Sequence, residues 1–316
     1  MTSRVAAAEG SRTTNPSWRV SVAVADLRKE PVKPALNLDH DPLEESQLLY
    51  GDPVRIEEEK GGWVRVAALE QPEWSHHQRW EGYPGWMERA CLSPEPPGWT
   101  PNLVVTTKSC SLFEKPDSTT PLRMTFSLGT RLKGTLTKGW WELDLLDGTT
   151  GWIQGKEATS LEELALLRQE PQAWRARLVE TARLFLGDPY YWGGRSAPLP
   201  AVVGLPQTAM DCSGLVGLAY QANGMILPRD AHEIWMRALP ISPEQLLLGD
   251  LLFLHDLQDP QRVTHVLLVS RKASATPEDD WVIEGPGTGK PIHEIPLKEK
   301  LQTEKGRRVS FGTYLP

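Results

Sequence analysis

Residues 211–224 read DCSGLVGLAYQANG, a polar start followed by a mostly apolar run. This pattern predicts a helix from Cys212 to Asn223, closed by Gly224. Cys212 would then lie at the helix N-terminus, where unpaired backbone N–H groups favour an anion. Because the thiolate is the reactive form of cysteine, Cys212 is a candidate nucleophile, and the alternative is an inert cysteine buried in the helix.

Elements on either side of this helix indicate an α+β domain. Upstream, residues 160–187 carry a helical pattern that ends at Gly187, and a loop rich in Gly, Pro and Ala covers 188–211. Downstream, β segments are expected at LLFL from 251, VTHVLLV from 263, WVIE from 281 and, more weakly, near Ile292. Helices that precede strands in the chain are typical of α+β folds.

A histidine is needed to hold the thiolate as an ion pair. His265 is the candidate, because it is the histidine that lies on a strongly β-branched, apolar run. A third polar group should orient the imidazole through its other nitrogen. Glu284 in WVIEGPG is the first candidate for that group, and His293 in PIHEIPL is its rival.

The first half of the chain contains an internal repeat of short β segments. One copy reads LLYGDPVRIEEEKGGWVRVAAL and then GYPGWM, and the other reads SLGTRLKGTLTKGWWELDLL and then GTTGWI. Trp63 and Trp86 match Trp141 and Trp152, and an insert around QPEWSHHQRWEG lengthens the first copy. Such repeats predict two small barrels in which the indoles fill the core, joined by a proline-rich connector at 93–102.

Composition excludes several other classes of protein. The 316 residues carry a formal charge of −7, which argues against a nucleic-acid partner or an anionic membrane surface. No stretch approaches the length of a membrane span. Cys91, Cys110 and Cys212 are too widely spaced to indicate a zinc site or disulfides, and no metal or cofactor is expected. We expect a monomer in the cytoplasm, or a periplasmic or secreted protein if the natural chain carries a leader.

The blocks PYYWGG, DCSGLVGLAYQANG, LPRDA, LLLGDLLFL and THVLLV, in this order, resemble the NlpC/P60 family of cell-wall cysteine peptidases. The first half resembles bacterial SH3 domains. The resemblance implies two SH3-like barrels followed by an α+β, papain-like catalytic domain. The expected bounds are 1–17 for a disordered segment, 18–98 and 99–162 for the barrels, and 163–316 for the peptidase.

The resemblance also implies roles for particular residues. Cys212 would be the nucleophile and His265 the general base, with Tyr190 completing the oxyanion hole beside the backbone N–H of Cys212. Glu284 stands where the family often has histidine, which is a departure from the pattern. A carboxylate can still accept the imidazole N–H, so Glu284 is expected to complete the triad.

One group in the family joins two SH3-like domains to the peptidase and cleaves the γ-D-glutamyl bond to diaminopimelate, or another diamino acid, in short peptidoglycan peptides with a free N-terminal L-Ala. By resemblance, the amine-binding residues are Asp52, Tyr83 and Asp211. Weaker candidates for contacts to substrate carboxylates are Ser213 and Arg229. The alternatives are a degenerate peptidase that only binds wall peptides, and a thiol acyltransferase on the same scaffold.

Overall fold

The computed structural model describes residues 17–34, 40–199, 207–273 and 276–315. The N-terminal segment predicted to be disordered lies outside these residues, apart from Ser17. Three sheet-bearing units follow one another along the chain. None of the helices in the described ranges combines the length and the apolar character needed to cross a membrane.

The first unit is a seven-stranded antiparallel sheet with the strand order β3-β2-β6-β5-β4-β1-β7. Its inward side chains form one apolar cluster that includes Leu27, Leu48, Val66 and Met87. The strands are β1 (Trp18–Val20), β2 (Val24–Arg28), β3 (Glu44–Leu49), β4 (Pro53–Lys60), β5 (Trp63–Glu73), β6 (Glu81–Glu88) and β7 (Leu92–Pro94).

The second unit has a five-stranded sheet, β10-β9-β14-β13-β12, and a three-stranded sheet, β11-β8-β15. Leu103, Leu112, Phe126 and Ile153 belong to its own core cluster. The SH3-like identity of this unit and of the first stays a prediction. The strands are β8 (Leu103–Val105), β9 (Ser109–Phe113), β10 (Leu122–Ser127), β11 (Arg131–Leu132), β12 (Gly134–Thr137), β13 (Trp140–Asp144), β14 (Thr150–Gln154) and β15 (Ala158–Ser160).

Strand register corrects the alignment of the repeat by one residue. Trp63 closes a hairpin opposite Lys60, and Trp140 closes one opposite Thr137. Trp140 is therefore the counterpart of Trp63, whereas Trp141 shares the inward position of Val64. The expectation that the matched indoles fill the cores was wrong for three of the four, because only Trp141 is buried and the other three are half-buried.

The third unit is a six-stranded sheet, β16-β21-β17-β18-β19-β20, with helices packed against it. The helical pattern at 160–187 forms two helices, because Pro171 begins a new helix at its N1 position. The elements are α1 (Leu161–Leu167), α2 (Pro171–Arg183), α3 (Cys212–Ala222), α4 (Ala231–Arg237), β16 (Leu239–Ile241), β17 (Leu251–His255), β18 (Val263–Arg271), β19 (Trp281–Glu284), β20 (His293–Pro296), α5 (Leu297–Thr303) and β21 (Val309–Thr313).

Buried polar side chains join the three units. The side chain of Gln47 in the first unit donates to the carbonyl oxygen of Gln207 at 2.7 Å and accepts from the Ser196 hydroxyl at 2.7 Å. Gln221 on α3 donates to the carbonyl oxygen of Gly129 in the second unit at 2.8 Å. Because each of these groups is buried, losing one partner would leave an unsatisfied polar atom, so the units hold a defined arrangement.

Gly214 and Gly217 on α3 give a matched test of how tightly this helix is packed. A Cβ at Gly214 would overlap the carbonyl oxygen of Gly194, whereas a Cβ at Gly217 would meet open space. We expect Gly214→Ala to lower the free energy of unfolding by roughly 2 kcal/mol or more. Gly217→Ala should leave it unchanged or raise it by up to about 1 kcal/mol. Denaturant melts of both variants measure this, and equal losses would contradict it.

Candidate active site

Cys212 is the first residue of α3, and Asp211 caps that helix. The Asp211 carboxylate accepts from the backbone N–H of Gly214 at 2.6 Å. Because Cys212 is in the first turn of the helix, its backbone N–H has no intrahelical partner. Gly285 lies over this N–H, since a Cβ there would be 3.5 Å from the nitrogen. The helix start thus presents a thiol, which is 8% exposed, and an uncommitted backbone donor side by side.

His265 reaches the thiol from β18. The register between β17 and β18 slips by one residue, so that Leu254 pairs with His265 and His255 pairs with Val263. Thr264 is thus the extra residue of a bulge, a feature that re-aims side chains beside many active sites. The His265 ring lies close enough to Cys212 to feel the charge of the sulfur. Its Nε2 lies 2.6 Å from Oε2 of Glu284, which leaves Nδ1 as the nitrogen free to face the thiol.

Glu284 stands behind the imidazole and is buried. Besides His265, its carboxylate contacts Lys300 Nζ at 2.8 Å and His293 Nε2 at 3.3 Å. His293 pairs with Glu284 across β19 and β20, and no contact among the described residues joins it to His265. The geometry therefore favours Glu284 over its rival His293 as the group that orients His265.

These contacts raise the pKa of His265 and lower the pKa of Glu284. Burial lowers the pKa of His265, but the charge and hydrogen bond of Cys212, together with Glu284, outweigh it and raise the pKa to about 9. Burial raises the pKa of Glu284, but His265 and Lys300 lower it to about 2. At neutral pH the pair is therefore a carboxylate and an imidazolium, and the imidazolium can hold a thiolate at Cys212.

Tyr190 lines the same cleft, and its ring faces Gly285. Burial, followed by the negative charges of Asp211 and Cys212, raises the pKa of the Tyr190 phenol. The phenol therefore stays neutral and keeps its O–H as a donor. The Tyr190 hydroxyl and the Cys212 N–H are thus both available as donors in this cleft.

The cleft that holds these groups has a volume of about 680 Å³, and the first unit forms one of its walls. The Tyr83 hydroxyl donates to Glu45 at 2.9 Å or to Asp230 at 3.1 Å. The insert between β5 and β6 contributes Ser75 and His76. This part of the cleft is therefore acidic, and a loop of the first unit lines it.

Two of the residues predicted to contact substrate are placed elsewhere. Asp52 does not line the cleft, because it is buried in a turn where it accepts from the Leu49 N–H at 3.0 Å and pairs with Arg195 at 3.4 Å. Glu45, rather than Asp52, is the acid beside Tyr83. Arg229 is buried and does not line the cleft. Its N–H groups donate hydrogen bonds to other parts of the protein, so it supports the site from within.

Asp211 and Ser213 do line the cleft, as expected. However, both are already engaged with Arg229, at 2.8 Å from the carboxylate of Asp211 and 2.9 Å from the hydroxyl of Ser213. Asp211 is thus first of all a helix cap and the counter-ion of Arg229. Any contact from either side chain to a ligand would be additional to these bonds.

Sequence reasoning missed the functional surroundings of the triad. Lys300 lies on α5, a helix that the sequence did not predict, and Glu45 lies in a polar strand with no motif around it. Asp230 directly follows the candidate Arg229 in the block LPRDA, so the sequence did offer a reason to consider it. The histidines of the insert carried a signal too, since polar and aromatic residues crowd into a short stretch there.

Comparison with known proteins agrees with this geometry. Residues 187–310 match the model of the NlpC/P60 family. The chain carries an NlpC/P60 domain. Its fold places a cysteine at a helix start against a histidine on the neighbouring sheet, and with its relatives this makes the chain a cysteine peptidase.

Curated relatives extend the similarity beyond the NlpC/P60 domain. A γ-D-glutamyl-L-lysine dipeptidyl-peptidase of Bacillus subtilis is 25% identical over 84% of this chain and 80% of its own length. A protein of the same name from Bacillus cereus is 28% identical over 80% of this chain and 70% of its own. Dipeptidyl-peptidase 6 of Lysinibacillus sphaericus is 28% identical over 66% of this chain and 72% of its own length.

A solved structure matches the whole arrangement. An NlpC/P60 family protein from Bacillus cereus superposes with a TM-score of 0.74, covering 95% of this chain and 100% of that one, at 23% identity. At this level of identity the likeness concerns the fold. It shows that the units ahead of the NlpC/P60 domain, and not that domain alone, belong to a fold seen by experiment.

Thiol labelling tests the reactivity that this site implies. Burial, followed by nearby acids, raises the pKa of Cys91 to about 11 and also raises the pKa of buried Cys110. We therefore expect iodoacetamide at pH 7 to label Cys212 first, at least about tenfold faster than either other cysteine. His265→Ala should slow labelling of Cys212 at pH 6–7, because the imidazolium no longer holds the thiolate.

Peptide mass mapping of the labelled protein identifies the site, and Cys212→Ser is the control that should lose the fast phase. Slow labelling of Cys212, at the rate of an ordinary thiol, would contradict the ion pair.

Proposed function

We propose that this chain hydrolyses the bond between γ-D-glutamate and a diamino acid in short peptidoglycan peptides that have a free N-terminal L-Ala. The observation that carries the proposal is the Cys212–His265–Glu284 arrangement in a cleft that has an acidic pocket at one end. The chemistry and the recognition of a cationic N-terminus would then take place in one continuous site.

In the acylation step, the Cys212 thiolate attacks the γ-carbonyl carbon of the D-glutamyl residue. The developing oxyanion accepts hydrogen bonds from the Cys212 N–H and the Tyr190 hydroxyl. The tetrahedral intermediate collapses as its C–N bond breaks, and the His265 imidazolium gives its proton to the departing amine. A thioester and a neutral imidazole remain, with the diamino acid released.

In the deacylation step, neutral His265 takes a proton from water while the water oxygen attacks the thioester carbon. The C–S bond breaks, the dipeptide leaves with a new carboxyl group, and the thiolate–imidazolium pair is restored. Glu284 keeps its charge throughout and holds the ring through Nε2. Its part is to position the imidazole, as the carboxylate of a Ser-His-Asp triad does.

The substrate amine would bind between Glu45, Tyr83 and Asp230. An ammonium group that leaves water needs acceptors in place of its hydration shell, and two carboxylates with a phenol oxygen supply them. Lys29, which is half exposed, occupies one Glu45 oxygen at 3.1 Å and would yield to a ligand. An N-acylated peptide lacks the charge and the N–H donors that these acids would accept, so it should be rejected.

The nature of the substrate is supported by the relatives. Two of them are named as γ-D-glutamyl-L-lysine dipeptidyl-peptidases and a third as dipeptidyl-peptidase 6. Release of a dipeptide requires an N-terminus held two residues from the scissile bond, which fits a closed acidic pocket. We therefore place the activity in the turnover or recycling of cell-wall peptides.

Cleavage of L-Ala-γ-D-Glu-L-Lys and of its N-acetylated form tests the function directly. We expect the wild type to release L-Ala-D-Glu from the free-amine peptide and to cleave the N-acetyl peptide at least about 100-fold less efficiently. Cys212→Ala should abolish cleavage of both while circular dichroism stays unchanged. Mass spectrometry of the products measures each outcome, and an unaffected Cys212→Ala variant would rule out the thiolate mechanism.

Glu45→Gln tests the amine site without touching the triad. We expect it to lower kcat/KM for the free-amine peptide by roughly tenfold or more, because a charge-assisted contact is lost. The ratio between the free-amine and N-acetyl peptides should shrink accordingly. Glu58→Gln, on the exposed part of β4, is the matched control and should keep the wild-type ratio. If Glu45→Gln keeps the wild-type ratio of kcat/KM between the free-amine and N-acetyl peptides, the substrate amine binds elsewhere.

The pKa of His265 predicts the alkaline limit of activity. A pKa raised to about 9 means that the imidazolium persists below that pH and is lost as the pH rises through it, so kcat/KM should fall above about pH 9. Glu284→Gln removes a negative charge that raises this pKa. Its alkaline limb should therefore move to lower pH, with kcat/KM at least about tenfold lower at pH 8. A limb that stays in place would show that His265 titration is not the cause.

A further inference from the structure

General acid catalysis fixes which end of the cleft receives the leaving group. The proton that reaches the departing amine comes from His265, so the diamino acid must lie on the histidine side of Cys212. The proposed amine pocket is built by Glu45, Tyr83 and Asp230, and no contact among the described residues joins these side chains to His265. This placement rests on the proposed function. It puts the leaving diamino acid beside those neighbours of His265 that take no part in the mechanism.

Basic side chains line the cleft at this end. Arg262 immediately precedes β18, Thr264 lies on the bulged start of that strand, and Arg307 hydrogen bonds to the Thr264 hydroxyl. Lys300 also lines this end. The two acids here are already neutralised, because Glu284 pairs with Lys300 and Glu304 pairs with Arg307 at 3.2 Å.

The charge of Arg262 reaches the exposed carboxylate of Asp256, but the two side chains form no ion pair. Arg262 is exposed, and in the described part of the chain no hydrogen bond or ion pair engages its guanidinium. Arg307, in contrast, is fixed by its bonds to Glu304, to Thr264 and to the carbonyl oxygen of His255 at 2.8 Å. One anchored guanidinium and one uncommitted guanidinium thus stand beside the position of the leaving group.

His232 adds a directed donor at the same place. The backbone N–H of Val263 donates to Nδ1 of His232 at 3.2 Å, and the ring stacks on Trp235. Because Nδ1 accepts this bond, a neutral His232 carries its proton on Nε2 and can donate it to a ligand. His232 lines the cleft next to Arg262, so the donor and the cation lie together.

We propose that Arg262, with His232 and Arg307 beside it, binds the α-carboxylate of the leaving diamino acid. The cleft is then dipolar: acids hold the ammonium at one end and a guanidinium holds a carboxylate at the other. The enzyme would accordingly prefer peptides in which the diamino acid is the last residue. Such peptides are the products of reactions that remove the residues beyond it.

Paired substrates that differ only in this carboxylate test the proposal. The two peptides are L-Ala-γ-D-Glu-L-Lys and its C-terminal amide. We expect the wild type to cleave the free acid with a kcat/KM roughly 10- to 100-fold above that of the amide, as a charge-assisted contact implies. Arg262→Gln should bring this ratio down about tenfold or more, toward one. Arg262→Lys, which keeps the charge but not the planar fork, should give an intermediate ratio.

Arg55→Gln, on β4 of the first unit and away from the cleft, is the matched control and should keep the wild-type ratio. Thermal melts of each variant separate loss of fold from loss of binding. A wild-type ratio near one, or an Arg262→Gln ratio equal to wild type, would overturn the proposal while leaving the proposed function intact. Wild-type enzyme that cleaves neither peptide would instead contradict the proposed function and remove the basis of this inference with it.

Discussion

The buried pair of Arg229 and Asp211 joins the parts of the molecule that the site needs. All five N–H groups of the Arg229 guanidinium are bonded: to both oxygens of Asp211, to the hydroxyls of Ser46 and Ser213, and to the carbonyl oxygen of Gly193. Burial lowers the pKa of Arg229, but the charges of Asp211 and Asp230 outweigh it and raise the pKa. A buried pair repays its desolvation only when every donor is satisfied, as here.

That pair fixes three things at once. Asp211 caps the helix that begins at Cys212, the Gly193 carbonyl belongs to the loop after Tyr190, and Ser46 lies on β3 of the first unit. Loss of Asp211 would leave the buried Arg229 charge without its partner, at a cost of several kcal/mol. Loss of the Gly193 or Ser46 acceptor would leave a buried N–H unsatisfied, at about 1–3 kcal/mol. Cys212, the loop after Tyr190 and the cleft wall formed by the first unit therefore cannot shift independently, so the first unit helps to fix the geometry of the site.

Sequence patterns predicted the parts of this site that depend on local rules. The helix from Cys212 and the strand of His265 follow from periodicity and flanking glycine, and both lie where expected. Glu284 was found because it follows a short apolar strand. Glu45 could not be found in this way, because its position beside Tyr83 depends on the strand order of the first unit, in which β3 and β6 flank β2. Asp52 matched the expected chemistry as an acid close by in the sequence, but its turn points it at Arg195, a contact between units that local patterns do not predict.

A carboxylate behind His265, where the family often has histidine, changes the resting state of the catalytic pair. A negative charge at Glu284 favours the imidazolium, and an imidazolium that was too stable would be a poor acid toward the leaving amine. Lys300, which contacts the same carboxylate at 2.8 Å, draws part of that charge away from the ring. With a pKa of about 9, His265 remains protonated at neutral pH yet lies close enough to that range to give up its proton once the thiolate is consumed. The charge of the sulfur itself sustains that pKa, so forming the thioester lowers it at the step in which the proton must leave.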